Sequence, residues 1–179
     1  PVDKTMAEAL YLAISTDTGC FRYSNVTGNT LRAAAELKDL GADTYPINKA
    51  MFDTKTIARL RLEAALTESI EFYADGLVGV CIMTQELLDW VGADSNDTDD
   101  ISGFARSVEG VEIGVMIQEL KEGGAKISLR TGENYNASAI CAKLGGGGHK
   151  AAAGASVPEG PEQAKKKILE AIAHCGVEL

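Results

Sequence analysis

Gly145-Gly146-Gly147-Gly148-His149-Lys150-Ala151-Ala152-Ala153-Gly154 is the stretch on which the reading of this chain turns. Glycine loses more conformational freedom on ordering than any other residue, so four in a row are costly to hold in place. A folded chain tolerates that where something comes very close to its backbone. Bare N–H groups beside one imidazole suit an anion, and the commonest biological anion of that size is a phosphate. The stretch therefore points to a phosphate-bearing ligand. A flexible linker is the plainer alternative, but linkers are usually mixed with serine and are not followed at once by compact alanines.

Two nucleotide motifs are excluded. A P-loop ends in Gly-Lys-Ser/Thr and opens a helix, whereas His149-Lys150-Ala151 follows here, with no hydroxyl for a magnesium ion. A dinucleotide fingerprint has a strand before it and a helix after it; the order here is reversed.

Upstream of the glycines, Asn136 can cap a helix whose inner stripe is Ala137, Ile140, Cys141 and Leu144. Before that, Lys126 to Arg130 alternates as a strand, joined through Glu122-Gly123-Gly124 to the alternating Val111, Ile113, Val115 and Ile117, a strand with one buried face. Ile127 and Leu129 face the core, so Lys126, Ser128 and Arg130 share the other face. Leu77 to Met83 is an apolar run of strand length, and Thr84 caps a short helix over 85–91. Asp94 to Asp100 reads as a polar connector, and 99–108 as helical. Downstream, Ala151 to Gly154 suits a short, tightly packed strand, and Pro161 opens a last helix with Ala164, Ile168, Ala171 and Ile172 inward, ending near Gly176.

The first part of the chain is helical. Met6, Ala9, Leu10, Ala13 and Ile14 repeat as the buried stripe of a helix that stops at the polar turn Ser15–Gly19. A second helix runs from about Asn29 to Leu40 and is closed by Gly41. Pro46 marks a break, and Thr54 to Tyr73 reads as a long helix carrying Leu62, Leu66, Ile70 and Tyr73 on one side. Residues 42–60 are the junction between two units. The fold class is α/β, a helical segment followed by a compact domain with a central mixed sheet flanked by helices. There is no internal repeat and no low-complexity tail.

Composition bounds the function. The chain has 179 residues, 45% apolar, enough for one good core or a domain with part of another. Its mean hydropathy is near zero, no apolar run approaches the roughly 20 residues of a membrane span, and no signal peptide is read, so a cytoplasmic protein is expected. Pro1-Val2-Asp3 reads as a cut inside a longer protein. The four cysteines are scattered without CxxC spacing, which favours reduced thiols, with Cys81 and Cys141 as small core residues. A net charge of −9 argues against a broad duplex-binding surface. It leaves room for a short nucleotide held by a few placed cations.

The candidate binding residues follow. His149 ends the glycine run and can donate to a phosphate oxygen. Arg130 offers a planar fork that matches phosphate oxygens in pairs, beside Ser128. Arg106 has a weaker case, just ahead of the alternating strand. His174 reads as complementing a helix C-terminus, and Lys165–Lys167 as a solvated helix face. Asp17, in Thr16-Asp17-Thr18-Gly19, would ordinarily be a turn residue.

Taken in order, Thr-Asp-Thr-Gly-x-Phe (Thr16 to Phe21), Ser-Leu-Arg (Ser128 to Arg130) and the Gly145–Gly154 stretch resemble the Asp-His-His (DHH) phosphoesterases, in the branch of RecJ-like bifunctional oligoribonucleases and pAp-phosphatases. The resemblance runs along essentially the whole chain. It implies that residues 1–45 are the tail of a catalytic domain, 46–73 a helical linker and 74–179 the DHH-associated substrate-binding domain. It also implies that Asp17 matches a metal ligand of a two-manganese hydrolase, and that Ser128, Arg130, Gly145 to Gly148 and His149 match the substrate-holding surface. The Asp-His-His triplet is absent from these residues. The chain is therefore expected to bind short single-stranded nucleic acid or nucleotide phosphates, to hold manganese poorly and to be inactive by itself, with a homodimer possible. The alternatives are a stand-alone nucleic-acid-binding or dimerisation domain, as related glycine-rich domains serve in alanyl-tRNA synthetases, and part of a cyclic-dinucleotide phosphodiesterase.

Overall fold

A six-stranded sheet, with the strands lying side by side in the order Glu71–Tyr73, Val78–Met83, Ile113–Glu119, Ala125–Thr131, Ala152–Val157 and Gly147–Gly148, organises the larger part of the molecule. The computed structural model describes residues 1–179 and divides into two units, Pro1–Lys55 and Thr56–Leu179. In the second unit the elements run α4 (Ile57–Ser69), β1 (Glu71–Tyr73), β2 (Val78–Met83), α5 (Gln85–Val91), β3 (Ile113–Glu119), β4 (Ala125–Thr131), α6 (Ala137–Ala142), β5 (Gly147–Gly148), β6 (Ala152–Val157) and α7 (Pro161–Ala173). β2 and β3 are parallel and every other pair is antiparallel, so the sheet is mixed.

The caps read from sequence are made. Thr84 Oγ1 accepts the Leu87 N–H at 3.1 Å and Asn136 Oδ1 accepts the Ala139 N–H at 3.1 Å. Pro161 stands at the start of α7, whose buried side chains are Ala164, Ile168, Ala171 and Ile172. These pack with Ile140 and Cys141 of α6 against Val80, Val115, Ile127, Leu129 and Ala153, one complete face of the sheet.

The opposite face is covered over only half its width. There α4 (Leu62, Leu66) and α5 (Leu88, Val91), with Ile101 and Ala105, lie on Cys81, Met83 and Met116. β3 is consequently buried on both sides through Ile117, not on one as its alternation suggested. Alternating sequence marks which side chains share a face; it cannot say that both faces are covered. Gly114 allows that second layer, because a Cβ there would stand 2.6 Å from the Arg106 main-chain nitrogen.

Three further expectations change. α4 ends at Ser69, and Glu71–Tyr73 is a strand pairing with β2, so the helix does not reach Tyr73. Residues 99–108 form short 3-10 turns over Ile101–Gly103 and Ala105–Ser107, pressed flat on the sheet through Ile101 and Ala105. Lys165 and Lys167 are ion-paired: Lys165 Nζ lies 2.8 Å from Glu71 and 3.0 Å from Glu162, and Lys167 pairs with Glu159. The residue nearest the solvated reading is Lys166, which is exposed.

The first unit comprises α1 (Lys4–Asp17), α2 (Gly28–Asp39), α3 (Thr44–Asn48) and a wider π-type turn over Lys49–Asp53. Gly41 closes α2 as expected, at φ +99° with its N–H on Lys38 O at 2.9 Å. The buried face of α1 is Ala7, Tyr11 and Ser15, whereas Met6 and Leu10 of the expected stripe are exposed. Apolar residues occur around most of this helix, so periodicity alone selected the wrong side. Tyr11 and Ser15 are held through Asn48, which donates to the Tyr11 hydroxyl at 2.9 Å and accepts from the Ser15 hydroxyl at 2.9 Å.

Candidate phosphate-binding site

The uncovered half of the sheet gathers most of the residues singled out from sequence. Ser128 pairs in register with Gly154, and Gly154 with Gly147, so these three stand in one row on the face away from α6 and α7. In the next row Arg130 pairs with Ala152, which exchanges main-chain hydrogen bonds with His149 at 2.8 and 3.3 Å. Pleat alternation puts His149 on the same side as Gly147. Arg130 and His149 are thus two strand spacings apart, about 10 Å between backbones, across a floor of Ala152 and Gly154. His149 is exposed.

Lys126, Ser128 and Arg130 also form one wall of a cleft of about 210 Å³, with Met83, Met116 and Gln118 at its base and residues 98–102 opposite. Arg130 is oriented there: its Nη2 donates to Ser102 Oγ at 2.7 Å and its Nη1 to Leu129 O at 3.2 Å. Ser102, Gln118 and the two methionines were missed from sequence. No local motif marks them, since only the register of β2, β3 and β4 brings them beside Ser128.

The glycine run is built differently from the row of bare amides expected. Gly145 donates to Ala142 O at 3.1 Å and Gly146 to Cys141 O at 3.0 Å. Hydrogen-bonded pairs alternate in an antiparallel ladder, so the bonds between His149 and Ala152 turn the Gly148 N–H outward and the Gly147 N–H toward β6. One amide, that of Gly148, is left at the open edge of the sheet. The close neighbour that requires glycine is β6 itself: a Cβ at Gly146 would lie 2.1 Å from Gly154 O, and one at Gly148 2.6 Å from Ala152 O. Gly147 has nothing within 4 Å and faces open space.

Arg106 lies over Gly114, the register partner of Arg130, with its guanidinium 3.8 Å from Glu112. It is therefore near the site but already has an anionic partner. Asp17, in the first unit, is exposed at the end of α1 and accepts a 3.2 Å hydrogen bond from Asn25. No group of three or more His, Cys, Asp or Glu is placed to hold a metal ion, so the residues present do not fit manganese. His174 does what its position suggested, a ring N–H meeting Glu170 O at 2.7 Å. No helix is long and apolar enough to cross a membrane.

Residues 81–177, which contain the whole cleft and the glycine hairpin, match the DHHA1 domain model. The chain belongs to the DHHA1 domain family. The Asp-His-His resemblance read from its motifs is thereby borne out. The bifunctional oligoribonuclease and PAP phosphatase NrnA of Thermus thermophilus is 34% identical over 168 residues, 93% of this chain and 50% of that protein. The cyclic-di-AMP phosphodiesterase PdeA of Listeria monocytogenes is 32% identical over 174 residues, 96% of this chain and 25% of that protein. Among solved structures, an exopolyphosphatase-related protein from Bacteroides fragilis superposes with a TM-score of 0.88 at 26% identity, covering 96% of this chain and 51% of that one. This DHHA1 chain spans half or less of the length of the curated relatives it matches.

Proposed function

We propose that the open sheet face binds the phosphates of a short single-stranded oligonucleotide or of a nucleotide such as pAp, as the substrate-holding part of a phosphoesterase. The observation that carries the reading is the placement of Arg130, Ser128, Gly147 and His149 on adjacent rows of one face of the sheet, running from the cleft beside Ser102 to the open edge. Arg130 supplies a planar cation for two phosphate oxygens, His149 a second donor across the floor, and the Gly148 N–H an uncharged one at the edge. The missing side chains at Gly147 and Gly154 let an oxyanion approach the strands. The chain's net charge of −9 disfavours long duplexes, whose affinity comes from many phosphate contacts.

Residues 1–45 are proposed to be the tail of a catalytic domain. The exposure of Met6 and Leu10 along α1 supports this, as a helix face suited to packing on further polypeptide. Manganese is proposed as the cofactor of the complete phosphoesterase. Because the residues here do not fit the ion, no catalytic step is assigned to this chain, and it is expected to bind pAp without turning it over when manganese is added.

Calorimetric titration of pAp, a 5′-phosphorylated RNA trinucleotide and cyclic-di-AMP into the wild-type chain and Arg130→Ala tests the reading. Loss of two charge-assisted hydrogen bonds should weaken binding by about 100-fold or more. Equal affinity of wild type and Arg130→Ala for all three probes would overturn it in favour of an association domain.

A further inference from the structure

We infer that Ser102 and Arg59 are positioning residues for the Arg130 guanidinium, acting through the chain segment from Asp97 to Ser102. The inference rests on the reading of Arg130 as a phosphate ligand and adds what holds it ready. An arginine on an open sheet face has a long, freely rotating stem, and freezing it on binding costs affinity that prior orientation saves. Here Ser102 Oγ and Leu129 O accept from its two terminal nitrogens. Neither acceptor is charged. The fork is oriented without being neutralised, unlike that of Arg106, which faces Glu112.

Ser102 can do this only if its own segment is fixed. The segment contains no α-helix and turns through Asp100, a non-glycine residue at φ +57°. Arg59, on the first turns of α4, clamps it: Nη1 donates to Asp97 O at 2.8 Å and to Asp99 O at 2.5 Å, while Nε binds Glu63 at 2.8 Å. Thr56 Oγ1 donates to the buried Asp97 carboxylate at 2.5 Å, and that carboxylate also takes the Asp94 N–H at 3.0 Å. On the other side of Asp100, Ile101 is sunk in the core at 3% exposure. The "polar connector" is thus a rigid arm, anchored on α4 at one end and presenting Ser102 to Arg130 at the other.

The test is a double-mutant cycle read by pAp titration, combined with side-chain ¹⁵N NMR of Arg130. Ser102→Ala should weaken pAp binding by about 2- to 10-fold, the cost of ordering one rotamer-rich side chain on binding, and Ser102→Thr should keep it. Arg59→Ala should act in the same direction, with Arg59→Lys as the variant to use if that chain does not fold. In an Arg130→Ala background none of these changes should matter further. The Arg130 guanidinium nitrogens should show restricted rotation in the free wild type and averaged signals in Ser102→Ala. A mobile Arg130 in the wild type, or a Ser102→Ala effect that persists without Arg130, overturns the positioning role while leaving the binding site intact. A restricted Arg130 whose removal does not change pAp affinity overturns the phosphate-ligand reading and, with it, any role in preparing for phosphate.

Discussion

Gly146 lies so close to Gly154 that a Cβ on the first would stand 2.1 Å from the carbonyl oxygen of the second, and 2.7 Å from the Cα of Ala155. Gly147, one residue on, meets nothing within 4 Å. The two should respond oppositely to the same substitution. Gly146→Ala is expected to destabilise the second unit by about 3 kcal/mol, the upper part of the range for overpacking. Gly147→Ala should unfold like wild type but bind pAp more weakly, because its methyl group occupies the space offered to an oxyanion. Denaturant melts beside pAp titrations check both, and equal stability losses would remove the distinction.

Leu66, on α4, is completely buried among side chains of the sheet unit. Leu66→Ala should therefore cost about 2–5 kcal/mol, the usual range for a core leucine. It should do so in a chain cut to residues 56–179 as well as in the whole. A small effect in either would mean that α4 is a connecting segment and not part of the domain core.

Cys81 and Cys141 are fully buried, and burial pushes both thiols up to about 11. At pH 8 neither has much thiolate, the reactive form. Iodoacetamide applied to the folded protein should label the exposed Cys175 and spare these two, with all four cysteines labelled after denaturation. Peptide mass spectrometry reads the result, and rapid labelling of Cys141 would show that α6 opens readily from the sheet.

Glu71 on β1 is drawn below its ordinary 4.5 by hydrogen bonds from Lys165 and Tyr73, and Lys165 is raised above its ordinary 10.5 mainly by Glu71. A lowered carboxylate contributes stability above its unfolded value and loses it as the pH falls through the folded one. The raised lysine contributes below 10.5 and loses its share only at higher pH. Glu71→Gln should accordingly lower the thermal midpoint by a constant amount from about pH 6 to 9, a small one because Glu71 is half exposed. The gap should close on acidification below pH 4.5, the ordinary glutamate value. A gap that persists at pH 2 would assign the effect to packing instead of charge.

What could be read directly from the chain was what neighbouring residues decide between themselves. Asn136 and Thr84 cap helices because a side-chain oxygen reaches an amide three residues on. The alternation from Lys126 to Arg130 had to place Ser128 and Arg130 on one face, since a strand has no other way to arrange them. The family resemblance was carried by three local stretches taken in order, Thr16 to Phe21, Ser128 to Arg130 and Gly145 to Gly154.

Only the tertiary structure decided what those local pieces meet. It chose Ala7 and Tyr11 over Met6 and Leu10 as the inner side of α1, a choice between two apolar faces that helical period cannot make. It showed that the first two glycine amides close the end of α6, and that the β6 backbone, and not a ligand, is the body that comes close to Gly146 and Gly148. It also brought Ser102 to Arg130 from 28 residues away and Arg59 to Asp99 from 40. Such pairings are set by sheet register and by which layer covers which strand. Those are properties of the whole folded unit, since the energy that selects them comes from burying distant apolar faces together.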